Sequence, residues 1–376
     1  MIRSLNLQQL GARMEAVDEL TLILASHRLS LALGVGAYKL ATNQPIYRGE
    51  KEGERIDKVK ALAIKLGLNP NFAAALLYLI IDESCKQQMI QLQAHYDPPV
   101  DTTDDDQWRG ILKENLLKLT ARVASTYDDQ YSSDFFASRV YGDFENAVIV
   151  QEIKKLSNPE LFIDLGCGTG IQTLKFAPAF PQSIGYDLSP HMIEWANNKL
   201  IDNTVSFIQT DLEKDIPLPS SSASFVIMNL GTASDIPTIE KLIEEISRVL
   251  APEGRFFLSF YNRDALVYQW DFLPWPVSLA AQINHEKGCL DVRGRAETFS
   301  VHARAYSPEE INSFFPEGLS IERMLTYPTL SPILPNFLFR DPSVAQTVLR
   351  LEQELSTSGL GAYAIVTGKK RGADAE

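Results

Sequence analysis

Cysteine, histidine and positive charge are all scarce in this sequence of 376 residues. Its 3 cysteines, Cys85, Cys167 and Cys289, cannot form a closed disulfide framework and include no Cys-x-x-Cys pair. The 5 histidines are scattered without the spacing of a metal site, so we expect no bound metal. The 35 basic and 48 acidic residues give a net charge of −13, which disfavours a nucleic-acid surface and favours a protein that handles small molecules.

The sequence also indicates no signal peptide, no internal repeat and no apolar run of membrane-spanning length. We therefore expect a cytoplasmic protein with no membrane or nucleic-acid partner. A chain of 376 residues exceeds one ordinary hydrophobic core, which predicts more than one domain.

The first hundred residues carry apolar positions at helical spacing and few β-branched runs. They predict three helices, over about residues 6–42, 51–67 and 70–94. The first ends before Pro45 and would be on the order of 50 Å long, too long for a domain of this size to cover alone. Gly34 and Gly36 argue against its continuity, because glycine costs about 1 kcal/mol relative to alanine inside a helix.

Arg28 and Lys39 are the cations of the largely apolar stretch SHRLSLALGVGAYKL, residues 26–40. Their separation of three helical turns makes them project from nearly one face. Two interpretations stay open, since the charges could be solvated at the margin of that face or gathered around a negative ligand.

The chain changes character after the acidic, proline-containing stretch DPPVDTTDDD, residues 97–106, which is typical of a linker. One amphipathic helix is predicted over 107–125. Short apolar runs then alternate with helical stretches, which predicts a parallel sheet with helices on both faces. The runs are LFIDLG (161–166), SIGYD (183–187), VSFIQTD (205–211), SFVIMNL (224–230) and RFFLSFY (255–261). We further expect LSIERMLTYP and AYAIVTGKK to pair as an antiparallel hairpin at the edge of this sheet.

The stretch LFIDLGCGTGIQTLKF predicts a strand, a glycine-rich turn and a helix. Gly166 and Gly168 let a ligand approach the backbone, and Gly170 permits tight packing at the helix start. A dinucleotide loop requires a third glycine where Ile171 stands, and no Gly-Lys-Ser/Thr follows, so neither a dinucleotide nor a nucleoside triphosphate loop fits. Asp164 beside the turn suits a cationic amine better than a pyrophosphate.

Acidic residues end the next two predicted strands. Asp187 is placed to accept the hydroxyls of a ribose, and Asp211 is placed to accept from an adenine amino group. The segments DLGCGTG, GYDLSP, QTDLEKDIPLP and ISRVLAPEGRFFLSF stand in the order and at the separations that make residues 125–370 resemble a class I S-adenosylmethionine-dependent methyltransferase.

This resemblance implies a Rossmann-like α/β domain with S-adenosyl-L-methionine as cofactor. The loop Asp164–Gly170 would hold its methionine part, Asp187 its ribose, and Asp211 with Leu212 its adenine. Tyr127 and Tyr131 would form a lid, although ordinary packing explains them equally well. The remaining implied contacts are Leu188, Met192, Thr210, Asn229 and Leu230. Methyl transfer depends mainly on alignment and desolvation, so no obligatory catalytic motif is expected.

A small-molecule methyl acceptor should bind outside the carboxyl ends of the strands. The candidate contacts, for each of which structural packing is the competing interpretation, are Tyr261, Asn262, Trp270, Trp275, His302 and Arg304. Of these, His302 is also a candidate general base.

The three N-terminal helices resemble the all-α chorismate mutase family over residues 5–95, through AVDELTLILASHRLSLALGVGAYKL, QPIYRGEKEGERI and GLNPNFAAALLYLIIDESCKQQ. Members are intertwined dimers whose long first helix crosses both active sites, which implies a homodimer. Carried over by position, Arg28 would bind a carboxylate of chorismate, and Lys39 and Gln88 would donate to its ether oxygen. Glu52 would orient the ring hydroxyl, and Ser84 would lie one turn before Gln88 on the same face.

The sequence departs from this family at three positions. Gly11 stands where an arginine is expected, and Arg13 cannot replace it because two residues turn a helix by about 200°. Arg48 replaces an aspartate, and Lys51 replaces an arginine, which keeps the charge and loses the fork.

We therefore predict a multi-domain protein with an all-α chorismate mutase-like domain (1–96), a linker and connecting helix (97–125) and an α/β methyltransferase domain (126–376). The methyltransferase would act on a small molecule. The degenerate mutase-like domain would serve dimerisation or the sensing of chorismate, prephenate or a related acid. The alternative is a bifunctional enzyme with an active chorismate mutase.

Overall fold

The computed structural model of the chain describes residues 7–42, 49–93, 105–132, 136–200, 203–269, 281–284, 288–293, 298–334, 338–339 and 341–372. Of these, the helices up to residue 93 form one compact unit. Nearly all of the described residues from 105 onward form a second compact unit.

The first unit contains three helices: α1 (Leu7–Ala41), α2 (Gly49–Lys65) and α3 (Pro70–Gln93). Each predicted helix is confirmed, and α1, which packs on α3, runs unbroken through Gly34 and Gly36. Asn69 caps the N-terminus of α3, because its Oδ1 accepts from the N–H of Asn71 at 2.8 Å. A small core forms around Ile56, Ala74, Ile81 and Cys85. Pro45 lies outside the described residues.

The outer side of α1 exposes large apolar side chains. Leu20 is 57% exposed and Leu24 is 68% exposed. The stretch Leu7–Lys39 is long and apolar enough to cross a membrane by length and composition, so the prediction that no run of this kind is present is wrong. The acidic residues Glu15, Asp18 and Glu19 are exposed among these apolar side chains.

The second unit alternates helices and strands. Its helices are α4 (Asp105–Val123), α5 (Phe136–Lys154), α6 (Ile171–Phe176), α7 (Pro190–Asn197), α8 (Ile239–Val249), α9 (Leu266–Gln269), α10 (Pro308–Ser313) and α11 (Pro342–Glu354). Its strands are β1 (Leu161–Leu165), β2 (Gln182–Asp187), β3 (Val205–Gln209), β4 (Ala223–Met228), β5 (Leu250–Tyr261), β6 (Ala281–Asn284), β7 (Cys289–Arg293), β8 (Thr298–His302), β9 (Leu319–Tyr327) and β10 (Tyr363–Lys370). Short 3₁₀-helices cover Ala124–Ser132 and Thr232–Asp235.

The main sheet has the order β3-β2-β1-β4-β5-β10-β9. The first five strands of this order are parallel, as predicted, and β10 pairs antiparallel with both β5 and β9. The predicted antiparallel pair at the edge is therefore confirmed, but α11 lies in its connection, so the two strands are not joined by a tight turn. Strands β6, β7 and β8 form a separate sheet that the sequence did not predict.

Both faces of the main sheet are covered by apolar side chains. Ile163 and Val226 pack on one side with Ile243 and Ile246 of α8. The other side holds a second cluster, in which phenylalanines of β1, β4 and β5 meet apolar residues of α5. Because the parallel strands are buried on both faces, ligand-binding groups collect at the loops beyond their carboxyl ends.

Helix α4, predicted as a connecting helix, belongs to the second unit. The amide of Asn115 donates to the carbonyl of Ser300 at 3.0 Å, and Lys113 forms ion pairs that are described below. The boundary of the second unit therefore precedes this helix rather than following it.

Candidate cofactor and acceptor site

The glycine loop, residues 166–170, leaves the carboxyl end of β1. Gly166, Gly168 and Gly170 have φ angles of 77°, 53° and 80°, a region that side chains rarely adopt. The N–H of Gly166 donates to the carbonyl of Tyr186 in β2 at 2.8 Å, which anchors the loop to the neighbouring strand. A Cβ at position 170 would lie 2.4 Å from the ring of Phe207, so glycine is required there for packing, as predicted.

Asp164, the predicted partner of a cationic amine, is fully buried at the end of β1. Its Oδ2 accepts from the hydroxyl of Thr173 at 2.6 Å, whereas its Oδ1 is buried without a hydrogen-bond partner among the described residues. Burial raises the pKa of Asp164 to about 7, and the nearby charge of Asp187 adds to this effect. A buried acceptor without a partner costs free energy, so the position fits an amine that would satisfy it.

Asp187 ends β2 and accepts two backbone hydrogen bonds. The N–H of Gly168 lies 2.9 Å from Oδ2, and the N–H of Ser189 lies 2.8 Å from Oδ1. Burial raises the pKa of Asp187, and these two hydrogen bonds oppose the shift. Each carboxylate oxygen keeps further lone-pair capacity for a ribose hydroxyl. The geometry therefore fits the predicted role and also ties the glycine loop to β2.

Three further predicted contacts surround this strand end. Leu188 is half-buried, and its carbonyl accepts from the amide of Gln209 at 3.2 Å. Met192 is buried on α7. The N–H of Thr210 donates to the carbonyl of Asp187 at 2.8 Å, which joins the ends of β2 and β3.

Asp211, the predicted adenine contact, forms an ion pair that the sequence did not reveal. The Nζ of Lys113 lies 2.8 Å from Oδ2 of Asp211 and 2.8 Å from Oε1 of Glu213. Burial acts to raise the pKa of Asp211, but the hydrogen bond and charge of Lys113 outweigh it and lower that pKa. Leu212 is buried in the core of the second unit. An adenine amino group would therefore share Asp211 with Lys113.

Asn229 and Leu230 follow β4. The Nδ2 of Asn229 is buried without a partner among the described residues, and Leu230 has a φ angle of 53°. The N–H of Leu230 donates to Oε1 of Glu145 in α5 at 3.0 Å, and the hydroxyl of Tyr141 donates to the same oxygen at 2.6 Å. Burial raises the pKa of Glu145 to about 7. Strained backbone and an unpaired amide are typical of a ligand site.

The 3₁₀-helix Ala124–Ser132 is tied to the glycine loop. The ring of Tyr127 lies 3.5 Å from the position of a Cβ on Gly168. The hydroxyl of Thr169 donates to Oδ1 of Asp128 at 2.6 Å, and Lys199 Nζ lies 2.5 Å from Oδ2 of the same carboxylate. Tyr127 therefore has the position expected of a lid, while the side chain of Tyr131 lies outside the described residues.

The structure places the predicted acceptor contacts in different environments. Asn262 is fully buried and donates to the carbonyls of Gly359 and Gly361, both at 2.7 Å, so its interpretation as an acceptor contact is wrong. Arg304 is exposed, with its guanidinium 5.3 Å from the ring centre of Tyr306. Tyr261 is half-buried near the 3₁₀-helix Thr232–Asp235. Trp270 and Trp275 lie outside the described residues.

His302, the predicted general base, is half-buried at the end of β8, and its Nε2 has no partner among the described residues. Burial lowers the pKa of His302 to about 4; Glu213 opposes the shift, and Arg109 and Arg304 add to it. A base with this pKa is weak near neutral pH, so the geometry does not favour His302 for proton transfer.

In the first unit, α1 and α3 bring together four of the predicted mutase residues. Arg28 donates to the hydroxyl of Ser84 and to the carbonyl of Ile80, the latter at 3.3 Å. Lys39 Nζ lies 3.3 Å from Oε1 of Gln88. Lys39 is only 5% exposed, which excludes the interpretation of that charge as solvated. The side chain of Glu52 lies outside the described residues.

The departures from the mutase pattern are also partly visible. Lys51 is exposed and pairs with Glu54 at 3.0 Å, so its expected place in the cationic cluster is wrong. Gly11 lies on α1, and a Cβ added there would meet nothing within 4 Å, so a longer side chain would fit. Arg48 lies outside the described residues. Within the described ranges, no group of His, Cys, Asp or Glu is arranged to hold a metal ion.

Two family models match the chain. Residues 163–258 match a methyltransferase domain, and residues 10–89 match chorismate mutase type II. A probable S-adenosylmethionine-dependent methyltransferase of Saccharomyces cerevisiae is 29% identical over 137 residues, which are 35% of this chain and 44% of that protein. A malonyl-(acyl-carrier protein) O-methyltransferase of Hahella chejuensis is 36% identical over 104 residues, which are 27% of this chain and 36% of that protein. The chain thus spans less than half the length of either relative.

Solved structures of methyltransferases match part of the chain. The geranyl diphosphate C-methyltransferase of Streptomyces coelicolor, solved with S-adenosyl-L-homocysteine, is 16% identical and has a TM-score of 0.40, covering 60% of this chain and 77% of that chain. A methyltransferase of Aquifex aeolicus is also 16% identical with a TM-score of 0.40, covering 66% of this chain and 97% of that chain. By the two family models, the chain carries a stretch that matches chorismate mutase type II followed by a stretch that matches a methyltransferase domain.

Proposed function

We propose that this protein transfers a methyl group from S-adenosyl-L-methionine to a small-molecule acceptor. The observation that carries the proposal is the continuity of the site from Asp164 through the glycine loop to Asp187. Asp164 offers a buried oxygen without a partner among the described residues, and Asp187 holds the loop while keeping acceptor capacity. This donor and acceptor pattern matches an amine at one end and a ribose at the other.

The bound cofactor would supply an electrophilic methyl group on a positively charged sulfur. The chain would hold the amine with Asp164, the ribose with Asp187, and the adenine with Asp211 beside Leu212. Tyr127 over the glycine loop would exclude water from the site. These residues act by orientation and desolvation, which are the main requirements of an in-line transfer.

Calorimetric titration of the full chain with S-adenosyl-L-methionine and with S-adenosyl-L-homocysteine tests the proposal. We expect both to bind, because they share the amine, ribose and adenine, and we expect ATP, which lacks the amine, to bind far more weakly. An absence of binding by both sulfur compounds would contradict the proposal. Mass spectrometry of a cell extract supplied with methyl-labelled cofactor would then identify the acceptor.

We further propose that the helical domain joins two copies of the chain into a cytoplasmic homodimer through the outer side of α1. Leu20 and Leu24 are exposed there, and a second copy of this long helix would cover them. Glu15, Asp18 and Glu19 lie among the apolar side chains, and carboxylates are costly in a bilayer, so the surface suits a protein partner better than a membrane.

We also propose that the Arg28, Lys39, Ser84 and Gln88 cluster binds chorismate, prephenate or a related acid without efficient turnover. The buried ammonium of Lys39 supports anion binding, while Gly11 and the outward pairing of Lys51 argue against full catalysis. The alternative remains a bifunctional enzyme with an active mutase. Titration with chorismate and a mutase rate assay separate the cases. Binding of chorismate without turnover would support a sensing role, and rapid turnover would support the bifunctional alternative. If chorismate is neither bound nor converted, a role in dimerisation alone is supported.

A further inference from the structure

Four tyrosines from four separate elements gather beside the proposed cofactor site. They are Tyr127 of the 3₁₀-helix Ala124–Ser132, Tyr261 at the end of β5, Tyr268 in α9 and Tyr363 at the start of β10. We call them the tyrosine cluster. The rings of Tyr261 and Tyr363 lie 5.6 Å apart, and Tyr127 and Tyr268 lie close enough that their ionised forms would raise the pKa of both.

The tyrosine cluster adjoins the cofactor site at two points. Tyr127 approaches the backbone of Gly168, as described above. A Cβ on Gly231 would lie 2.4 Å from the ring of Tyr261 and 3.0 Å from that of Tyr363, and Gly231 directly follows Leu230. Tyr127, Tyr261 and Tyr363 each keep some accessible surface, although burial raises the pKa of Tyr261 and Tyr363. We call this accessible side of the tyrosine cluster the recess.

Asp235 supplies a carboxyl group to this recess. It hydrogen-bonds the hydroxyl of Tyr261, and its Oδ1 is buried without a partner among the described residues. The preceding residue, Ser234, accepts two hydrogen bonds. Its hydroxyl accepts from the N–H of Tyr261 at 2.8 Å, and its carbonyl accepts from the N–H of Arg304 at 2.9 Å. The carboxyl group therefore has a fixed position and one oxygen left for a ligand.

Glu145 differs from Asp235 in its hydrogen bonding. It is a second buried carboxyl group whose charge reaches Tyr363, but both of its oxygens accept from the N–H of Leu230, and one also accepts from Tyr141. Glu145 is therefore satisfied inside the chain, whereas Asp235 is not. We assign Glu145 a structural role.

The charge pattern limits what the recess can hold. The groups whose charges act on Tyr261 and Tyr363 are the other tyrosines, Asp235 and Glu145, and no described lysine or arginine is among them. Burial raises the pKa of Asp235 to about 8, and the hydrogen bond from Tyr261 opposes this shift. Once ionised, Asp235 would repel an anionic ligand, and aromatic rings favour a planar one.

We infer that Asp235 receives the proton of the methyl acceptor, and that this acceptor is a neutral planar molecule with an ionisable O–H group seated in the tyrosine cluster. The inference rests on the proposed function. In the step, the acceptor oxygen forms a bond to the methyl carbon. The carbon–sulfur bond breaks with its electron pair going to sulfur, and the O–H proton goes to the Asp235 carboxylate. The positive charge on sulfur and the negative charge on Asp235 disappear together, so charge balances.

This assignment makes a measurable prediction in the absence of an acceptor. The inference places the positive sulfur of bound S-adenosyl-L-methionine near Asp235, where it would favour the ionised carboxylate, so binding at pH 7.5 should release a proton. The sulfur of S-adenosyl-L-homocysteine is neutral, so that compound should not cause this release. Calorimetry in phosphate and in Tris, whose ionisation enthalpies differ, measures the protons released. We expect a difference of about half a proton or more between the two compounds.

Variants assign the proton to a residue. Asp235→Asn should abolish the difference, whereas the matched control Glu145→Gln should retain it. Tyr261→Phe removes the hydrogen bond that lowers the pKa of Asp235, so it should move the pH of maximal proton release upward, and it serves if Asp235→Asn fails to fold. Persistence of the difference in Asp235→Asn, or its loss in Glu145→Gln, would overturn the inference. Failure of both sulfur compounds to bind would instead contradict the proposed function.

The acceptor class has its own test on the complex with S-adenosyl-L-homocysteine. Three planar probes are titrated: 4-acetamidophenol, which is neutral at pH 7.5, acetanilide without the hydroxyl, and the anion 4-acetamidobenzoate. We expect 4-acetamidophenol to bind most tightly and to lose at least tenfold in affinity in Asp235→Asn. Tighter binding of 4-acetamidobenzoate, or equal binding of acetanilide, would contradict the proposed acceptor class.

Discussion

At the scale of single residues, buried carboxyl groups dominate the proposed chemistry. Asp164, Glu145 and Asp235 all have pKa values raised by burial, and they differ in whether the chain itself satisfies their oxygens. Both Asp164 and Asp235 keep an unpartnered oxygen among the described residues, and both lie where a ligand group is expected. An unsatisfied buried acceptor is therefore the most informative residue-level signal in this molecule.

Asp187→Ala should weaken the binding of S-adenosyl-L-methionine by about 10- to 100-fold. The change removes charge-assisted hydrogen bonds worth about 1.5–3 kcal/mol to the ribose, and it frees the N–H of Gly168. Calorimetry measures the affinity, and a thermal unfolding scan checks that the variant is folded. Asp187→Asn, which keeps an acceptor oxygen, is the control and should lose less. Unchanged affinity in Asp187→Ala would refute the ribose assignment.

Asp164→Asn should stabilise the protein at high pH while weakening cofactor binding. The pKa of Asp164 is about 7 when folded against an ordinary value of 3.8, so the native state holds the proton more tightly. The stabilising contribution of the protonated Asp164 to the free energy of unfolding is fully present below pH 3.8, falls as pH rises, and is lost above about pH 7. Asparagine has no such loss. Thermal unfolding should therefore favour the variant at pH 8, and the difference should shrink towards pH 4.

A control for this comparison is Asp215→Asn, which changes a carboxylate that is 79% exposed. Its unfolding temperature should follow that of the unsubstituted protein at every pH. Should Asp164→Asn be equally destabilised at pH 4 and pH 8, its buried charge would not be the cause.

At the scale of elements, the 3₁₀-helix Ala124–Ser132 and the glycine loop behave as one unit. Asp128 joins them through Thr169 and Lys199. Asp128→Ala should therefore raise amide hydrogen exchange in residues 124–132 and weaken cofactor binding severalfold. The control Glu114→Ala removes an exposed pair with Lys118 inside α4 and should change neither. Unaltered exchange in Asp128→Ala would mean that the tie does not order the segment.

Substitutions that include position 11 of helix α1 test whether the mutase-like cluster can catalyse chorismate turnover. Chorismate turnover should be absent or very slow in the unsubstituted protein, because losing one preorganised donor costs about 10²–10³ in rate. The combined change Gly11→Arg and Arg48→Asp should raise it, since position 11 has room for a side chain. A rate assay decides the matter. Brisk turnover before any substitution would promote the bifunctional alternative.

Prediction from sequence succeeded where the signal was local. The period of apolar residues located α1, α2 and α3, and short apolar runs located the parallel strands. The glycine pattern and Asp187 stood at strand ends, where ligands bind. It failed where partners are distant in the chain: Lys113 meets Asp211 from 98 residues away, and Tyr363 reaches Tyr261 only because β10 pairs with β5. Asn262 was misread because its partners, Gly359 and Gly361, are equally remote.

At the scale of the whole molecule, the exposed apolar side of α1 is the surface proposed to pair with a second copy. Leu20→Asp together with Leu24→Asp, one turn apart on that side, should convert a homodimer into a monomer. Light scattering measures the mass. Thr21→Asp adds charge at an exposed polar position of the same helix and should leave the dimer intact. A dimer that survives the paired substitution would place the interface elsewhere.

The position of β10 sets an order of events on the ribosome. Strand β9 pairs in the main sheet with β10 alone, so it must wait while residues 328 to 362 are made. Throughout that interval β5 and β9 both present open edges, which other chains can pair with. A stalled nascent chain would already contain the residues proposed to hold the cofactor but would lack Tyr363. Slower synthesis between β9 and β10 should therefore lengthen the time for which both edges can pair with other chains.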